Sequence, residues 1–317
     1  MANRIIPVVD LGKFTKGDAA VRASFVEEIG SAFQNIGFVG VVNHGVPKEL
    51  IDSFYKASKT FFAQPTELKR KYEVEGAAGQ RGYTSFGKEH AKQSKLPDLK
   101  EFFQIGQELE PGVNMGEMYL DNVQVEELPE FTNLGIELYR KFEESGAQLL
   151  KAIALYLDLE EGYFDAKIAN GNSILRAIHY PPITQEPDTA IRAEQHEDIN
   201  LITLLVGASA GGLQLLDAEG NWRNITPEQD EIVINVGDML QRLTNNHLKS
   251  TTHRVVNPPR EEWHLPRLSI PFFLHPAPNM DLSCLASCIK DGQTSEYGPI
   301  TAGEYLNERL REIGLKK

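Results

Sequence analysis

Three side chains of this 317-residue sequence have the types and spacing to hold a metal ion. His196-Glu197-Asp198 sets an imidazole and a carboxylate two residues apart, and His253-Arg254-Val255 brings a second imidazole from a separate segment. In an extended chain His196 and Asp198 share one face while Glu197 points to the other. Two imidazoles and one carboxylate on a triangular face leave three adjacent positions of an octahedral ion open. That is the arrangement of non-haem iron(II) sites, where O2 and an organic ligand bind side by side. Structural zinc fits less well, because such sites close with four ligands, often including sulfur. A His-x-Asp carries little weight alone in a chain with 8 histidines and 45 acidic residues, so the assignment leans on other segments.

Arg267-Leu268-Ser269 is the first of these. Arg267 and Ser269 share a face if the segment is extended. A guanidinium turned into a protein interior is costly unless it meets a carboxylate, which it can grip bidentately with a hydroxyl assisting. Arg176 and Tyr180 also share a face in an extended segment, so Arg176 is a second anion anchor or the partner of a core acid. Phe272 is a candidate pocket wall, with plain core as the alternative. His44, His179, His247, His264 and His275 read as turn or core residues with satisfied imidazoles. Cys284 and Cys288 would share a helix face at i,i+4, a poor geometry for a disulfide, and read as reduced thiols.

Elements must carry these groups into one place. Ile6–Leu11 reads as a short strand. Ala19 to Asn35, with Val21, Phe25, Ile29 and Phe33 at four-residue spacing, predicts an amphipathic helix that Gly37 ends. Phe38 to Val42 reads as a buried strand, Asn43-His44-Gly45-Val46-Pro47 as a turn, and Lys48 to Phe62 as a second helix. Glu110 to Glu127 is acidic and turn-rich, and predicts a surface loop. A long helix follows over Phe131–Leu157, with Leu134, Leu138, Phe142, Leu149 and Ile153 on its apolar stripe. From Ser173 the pattern changes to short apolar runs: Ile174–Tyr180, Leu201–Val206, Leu213–Leu216, Glu231–Val236, Ser250–Val256 and Leu268–Leu274. Gly, Pro, Asn and Asp clusters separate them, which predicts an antiparallel sandwich or barrel. Thr301 to Ile313 returns to a helix, with Thr301 as N-cap and Glu304 at N3. The expected fold is α+β with a mainly β core: a double-stranded β-helix, or jelly roll, with a helical N-terminal region and a C-terminal helix. Residues 1–165 would pack on a 166–317 core as one compact unit.

The formal charge of −13 disfavours nucleic acid as a general partner. No stretch approaches the roughly 20 apolar residues that span a bilayer, so no membrane partner is expected. The N-terminus lacks a hydrophobic signal core, and with two cysteines the chain reads as cytoplasmic. A small molecule is the partner left, and nothing in the sequence specifies an oligomeric state.

The ordered motifs also resemble a known family. They are Ile6-Pro7-Val8-Val9-Asp10-Leu11, Gly37-Phe38-Val39, Asn43-His44-Gly45-Val46-Pro47, Arg81-Gly82-Tyr83 and Asp98-Leu99-Lys100-Glu101-Phe102-Phe103 in the first half. The second half adds His179-Tyr180-Pro181-Pro182, His196-Glu197-Asp198, Gly211-Gly212-Leu213-Gln214, Asn235-Val236-Gly237-Asp238, His253-Arg254-Val255, Arg267-Leu268-Ser269 and Pro271-Phe272-Phe273. Over nearly its whole length the chain resembles the isopenicillin N synthase-like iron(II)- and 2-oxoglutarate-dependent dioxygenases.

The resemblance implies Fe(2+) held by His196, Asp198 and His253, with 2-oxoglutarate on the metal and its distal carboxylate at Arg267 and Ser269. Tyr180 would help to orient a carboxylate. O2 and 2-oxoglutarate would be consumed, giving succinate and CO2, and a small substrate, which could be anionic, would be hydroxylated or desaturated. Arg81 would reach the pocket mouth from an N-terminal loop and bind a substrate carboxylate there, with a solvated loop arginine as the alternative, and Asn245 would approach the substrate. Ile178 departs from the pattern, because many 2-oxoglutarate users carry Asn there. Leu243-Thr244-Asn245-Asn246 is closer to the synthase, which uses no 2-oxoglutarate, yet Thr301–Lys317 lacks the glutamine of the synthase tail. Two alternatives follow: an iron oxidase without 2-oxoglutarate, synthase-like or ascorbate-using, and a non-catalytic jelly-roll binding protein.

Overall fold

A computed structural model describes residues 4–89, 97–109, 112–113, 119–187, 189–207, 209–228, 230–289, 292, 294–313 and 315. The first half holds β1 (Val8–Asp10), α1 (Leu11–Lys16), α2 (Ala19–Asn35), β2 (Phe38–Val42), α3 (Lys48–Phe62), α4 (Thr66–Arg70), β3 (Gly82–Thr84), β4 (Glu101–Gly106) and α5 (Pro129–Tyr156). The second half holds α6 (Asp165–Ile168), β5 (Ile174–Tyr180), β6 (Ala193–His196), β7 (Ile202–Val206), β8 (Leu213–Leu216) and β9 (Trp222–Asn224). It ends with β10 (Ile232–Val236), α7 (Asp238–Leu243), β11 (His253–Val255), β12 (Arg267–Leu274) and α8 (Ala302–Glu312).

Local signals set the helix ends. The Asp18 carboxylate accepts the N–H groups of Ala20 and Val21 at 3.0 Å and starts α2. Gly37, at φ 76°, stops it and turns the chain into β2, a conformation that penalises any Cβ. Phe25, Ile29 and Phe33 of α2 are fully buried, each contributing about 1.5–3 kcal/mol through apolar burial. Along α5 the stripe of Leu138, Phe142, Leu149 and Ile153 is buried, with Leu134 only partly so. Gly135 lets α5 lie directly on β4: a Cβ there would sit 2.1 Å from Ile105 Cδ1.

The strands form two sheets. The larger runs β1-β2-β10-β7-β12-β5-β4-β3 and the smaller β6-β11-β8-β9, with β1–β2 the one parallel pairing among the described residues. One face of the large sheet buries against the helices. From its other face Phe38, Phe102, Ile178, Tyr180 and Val233 meet Ala193, Leu213, Leu215 and Val255 of the small sheet. That sandwich is the jelly roll, and helical segments with α8 flank it as the hydrophobic pattern indicated. The sheet draws strands from both sides of residue 165.

The structure corrects several elements. Leu11 begins a helix rather than extending a strand, because the Asp10 side chain accepts the Gly12 N–H at 2.8 Å and caps α1. Ser250–Val256 shortens to three strand residues. Cys284 and Cys288 are free thiols and do not share an α-helix. Of Glu110–Glu127, residues 110, 111 and 114–118 lie outside the described residues; the rest is loop. No described helix is long and apolar enough to cross a membrane.

Candidate metal centre

His196 ends β6, and Asp198 lies just beyond it rather than within the strand. His253 opens β11, paired directly across from His196, so a sheet register brings the imidazoles together at a ring-centroid separation of 4.4 Å. One ligand atom from each of His196, Asp198 and His253 lies within 4.8 Å of the others. Asp198 Oδ1 is 3.9 Å from His196 Nε2 and 3.8 Å from His253 Nε2.

Backbone and side-chain contacts fix which atoms are presented. His196 Nδ1 donates to the Glu194 carbonyl at 2.6 Å, and His253 Nδ1 to the Thr251 carbonyl at 3.0 Å. Each Nε2 is therefore left with its lone pair free to bind a metal. Asp198 Oδ2 accepts from Thr203 Oγ1 at 2.6 Å and from Asn235 Nδ2 at 2.8 Å, which leaves Oδ1 for the ion. Burial opposes ionisation of Asp198, but His253 and His196, then Asn235 and Thr203, hold its carboxyl below the usual range. Glu197 turns aside to accept the Thr252 hydroxyl. The donor set fits a divalent ion with open positions.

The three groups line a cavity of about 170 Å³ between the sheets. Arg267, 1% exposed, also lines it. Its Nε donates to the Ala210 and Gly211 carbonyls at 3.1 Å, while Nη1 is buried with no hydrogen-bond partner among the described residues. A buried guanidinium edge without an acceptor is a strong demand for an anion. Tyr180 is the cross-strand neighbour of Arg267, with the guanidinium 5.0 Å from its ring centre, and Ser269 pairs with Ile178. All four line the cavity, so its chemistry accommodates the far carboxylate of 2-oxoglutarate.

Other expected residues fall elsewhere. Arg176 lines the cavity, but it donates to Glu89 at 3.2 Å and to Gln104 Oε1 at 2.9 Å, the core-acid alternative. Arg81 is buried against the Leu120 and Gln80 carbonyls and is absent from the cavity lining. Asn245, at φ 47°, accepts the Glu296 N–H outside the cavity. Phe272 stacks on Phe142 at 5.6 Å and meets Tyr139 edge-on, so it belongs to the core under α5. The face Arg267 shares with Ser269 continues to Pro271, Phe273 and His275, so Phe273 is the aromatic wall.

Of the remaining histidines, His44 accepts the Val46 N–H at 3.2 Å and His179 meets Glu101 at 2.7 Å, both satisfied as expected. His275 differs: its Nε2 is buried without a partner among the described residues. Sequence reasoning also missed Arg192, whose guanidinium lies 5.9 Å from the Tyr180 ring. Burial and the nearby Arg267 charge push Arg192 down to about 10. Lys100, Glu89 and Asp98 were missed as well, although Asp98 and Lys100 sit in a quoted motif.

Family comparisons agree with this geometry. Residues 6–127 match the model described as non-haem dioxygenase in morphine synthesis N-terminal, and residues 171–276 match the 2OG-Fe(II) oxygenase superfamily. A 2-oxoglutarate-Fe(II) type oxidoreductase, hxnY of Emericella nidulans, is 32% identical over 98% of this chain and 91% of that protein. The chain belongs to the iron(II)- and 2-oxoglutarate-dependent oxygenases. A crystal structure of a 2OG-Fe(II) oxygenase family protein from Caulobacter crescentus is 42% identical, with a TM-score of 0.87 over 98% of this chain and 99% of that one. A full-length Neurospora crassa protein, solved in complex with alpha-KG and thymine, is 30% identical, with a TM-score of 0.86 over 98% of this chain and 97% of that one. Iron, 2-oxoglutarate and O2 are therefore the cofactor and co-substrates of this oxygenase family.

Proposed function

We propose that His196, Asp198 and His253 hold iron(II), that Arg267 with Ser269 and Tyr180 holds 2-oxoglutarate, and that the chain hydroxylates or desaturates a small organic molecule. The buried, unpartnered Nη1 of Arg267, in the same cavity as the three ligands, carries this reading. When bound, iron and 2-oxoglutarate supply an oxidant made from O2, with 2-oxoglutarate released as succinate and CO2. The protein's own part is positional. The Glu194 and Thr251 carbonyls orient the imidazoles, and Asn235 and Thr203 turn the Asp198 carboxylate. Leu205, Leu213 and Val255 line the cavity with apolar surface near Arg267, which limits water and strengthens the charge contact there. The relatives named for 2-oxoglutarate and the Neurospora crassa complex with alpha-KG support the same co-substrate here.

Succinate release from 2-oxoglutarate, measured with iron(II) and O2, tests the reading. Arg267→Ala removes the anion partner, and the unmatched carboxylate should weaken 2-oxoglutarate by about 2–5 kcal/mol. Asp198→Ala should stop succinate release. An Arg267→Ala enzyme with unchanged apparent affinity for 2-oxoglutarate would contradict the assignment.

A further inference from the structure

The cavity extends past the groups assigned to iron and 2-oxoglutarate. Along β12 its lining runs from Arg267 to His275, about 26 Å at roughly 3.3 Å per residue. One wall carries a charge cluster from β5 and the chain before β4, in which Lys100 is level with Tyr180. Arg176 meets Glu89 at 3.2 Å, and Lys100 meets Glu89 at 2.6 Å and Asp98 at 2.7 Å. Burial alone would raise the Glu89 carboxyl, yet Arg176 and Lys100 hold it down to about 2. Two cations thus face two carboxylates, and among the described residues this wall offers no unmatched charge to an anionic substrate.

Two neutral groups of the cavity lining are unmatched among the described residues. Gln104, 1% exposed, sits directly across from Arg176 in the β4–β5 pairing. Its Oε1 accepts the Arg176 Nε–H at 2.9 Å, which fixes the amide orientation and leaves Nε2 buried without an acceptor. His275, 7% exposed, has Nδ1 3.2 Å from the Phe273 carbonyl. A carbonyl can only accept, so the proton is on Nδ1 and Nε2 is a bare acceptor without a donor. Burial keeps this imidazole neutral by pushing it down to about 4. Gln104 and His275 line the same cavity as Arg176. One donor and one acceptor, each buried and unpaired, are costly to leave unfilled.

We propose that Gln104 and His275 are the substrate-reading pair of this oxygenase, and that they take a neutral molecule carrying an amide-type group, a carbonyl next to an N–H. Gln104 Nε2–H donates to the carbonyl, and His275 Nε2 accepts the N–H. Phe273, beside them on the cavity face of β12, offers an aromatic surface to a flat ring. The assignment rests on the iron and 2-oxoglutarate reading above, and it narrows the substrate from one that could be anionic to one that is neutral and amide-like.

The test titrates three ring-matched probes into the anaerobic enzyme loaded with iron(II) and 2-oxoglutarate, reading binding by calorimetry. The probes are glutarimide, N-methylglutarimide and cyclohexanecarboxylate. Glutarimide should bind at least about tenfold tighter than either of the others, since each lacks a required partner. Gln104→Glu keeps an acceptor for Arg176 and exchanges the donor for a carboxylate oxygen, with a negative charge that Arg176 meets; His275→Phe removes the acceptor. Each should erase the glutarimide preference while 2-oxoglutarate affinity, measured first in the same cell, stays within about twofold of wild type. A carboxylate that binds as well as the imide overturns the proposal. So does an imide no better than its N-methyl form, whether both bind or neither does, which is also the result if the pair merely holds a water. Failure of the 2-oxoglutarate titration in wild type would instead strike the oxygenase reading itself. If one variant fails to fold, by thermal unfolding, the other still decides.

Discussion

Asp198 presents one oxygen to the cavity and gives the other to Asn235 and Thr203, so its orientation depends on residues outside the proposed ligand set. Outer partners of this kind typically carry about 10–100-fold in metal affinity. Asn235→Ala should weaken iron(II) binding by that factor with the fold intact, checked by competition with a coloured chelator. Unchanged affinity would mean that Thr203 alone sets the carboxylate. The candidate ligand residues were legible because their types and spacing are chemically scarce, and Asn235 stood in a quoted motif without a role attached. Gln104 and His275 were not legible. Their significance is an unfilled hydrogen bond, and an unfilled bond exists only once the neighbours are placed.

Alternation did most at the scale of elements. β5 presents Ile174, Arg176, Ile178 and Tyr180 to the cavity, and β12 presents Arg267, Ser269, Pro271 and Phe273, with His275 just beyond its end. The same rule applied consistently from Arg267 excludes Phe272, so that misassignment arose from ranking an aromatic above its register. Short strands such as β3 and β9 were missed because three residues give no periodicity. The C-terminal helix was foreseen, and its capping box is present: Thr301 and Glu304 satisfy each other's backbone N–H. What the pattern did not reveal is that Leu306, Leu310 and Ile313 wall the cavity. Thr301→Ala should cost about 1 kcal/mol and loosen this wall first. Amide exchange should rise across Ala302–Glu312 before the jelly-roll strands respond; uniform acceleration of the whole chain would contradict a local role for α8.

For the molecule as a whole, the large sheet, which carries Arg267, Ser269 and Tyr180, is built from both halves of the sequence, and a chain of buried ion pairs lies along it. Glu89 is the clearest contributor to acid stability. Its carboxyl lies at about 2 in the folded protein against an ordinary value of 4.5, so its stabilisation is complete above pH 4.5 and is lost as pH falls toward 2. Linkage over that interval amounts to roughly 3 kcal/mol. Glu89→Gln should therefore flatten the acid limb of the stability curve between those values, and an unaltered limb would place the dependence elsewhere. Such charges were countable in the sequence, but their pairing comes from contacts between distant segments. The most direct test of the iron and 2-oxoglutarate assignment is an anaerobic iron(II) titration with and without 2-oxoglutarate, following the visible charge-transfer band of the iron–2-oxoglutarate chelate. The band should saturate at one iron per chain in wild type, weaken in Arg267→Ala and be absent in His253→Ala. Iron binding without a band, or a band that persists in His253→Ala, would contradict the assignment.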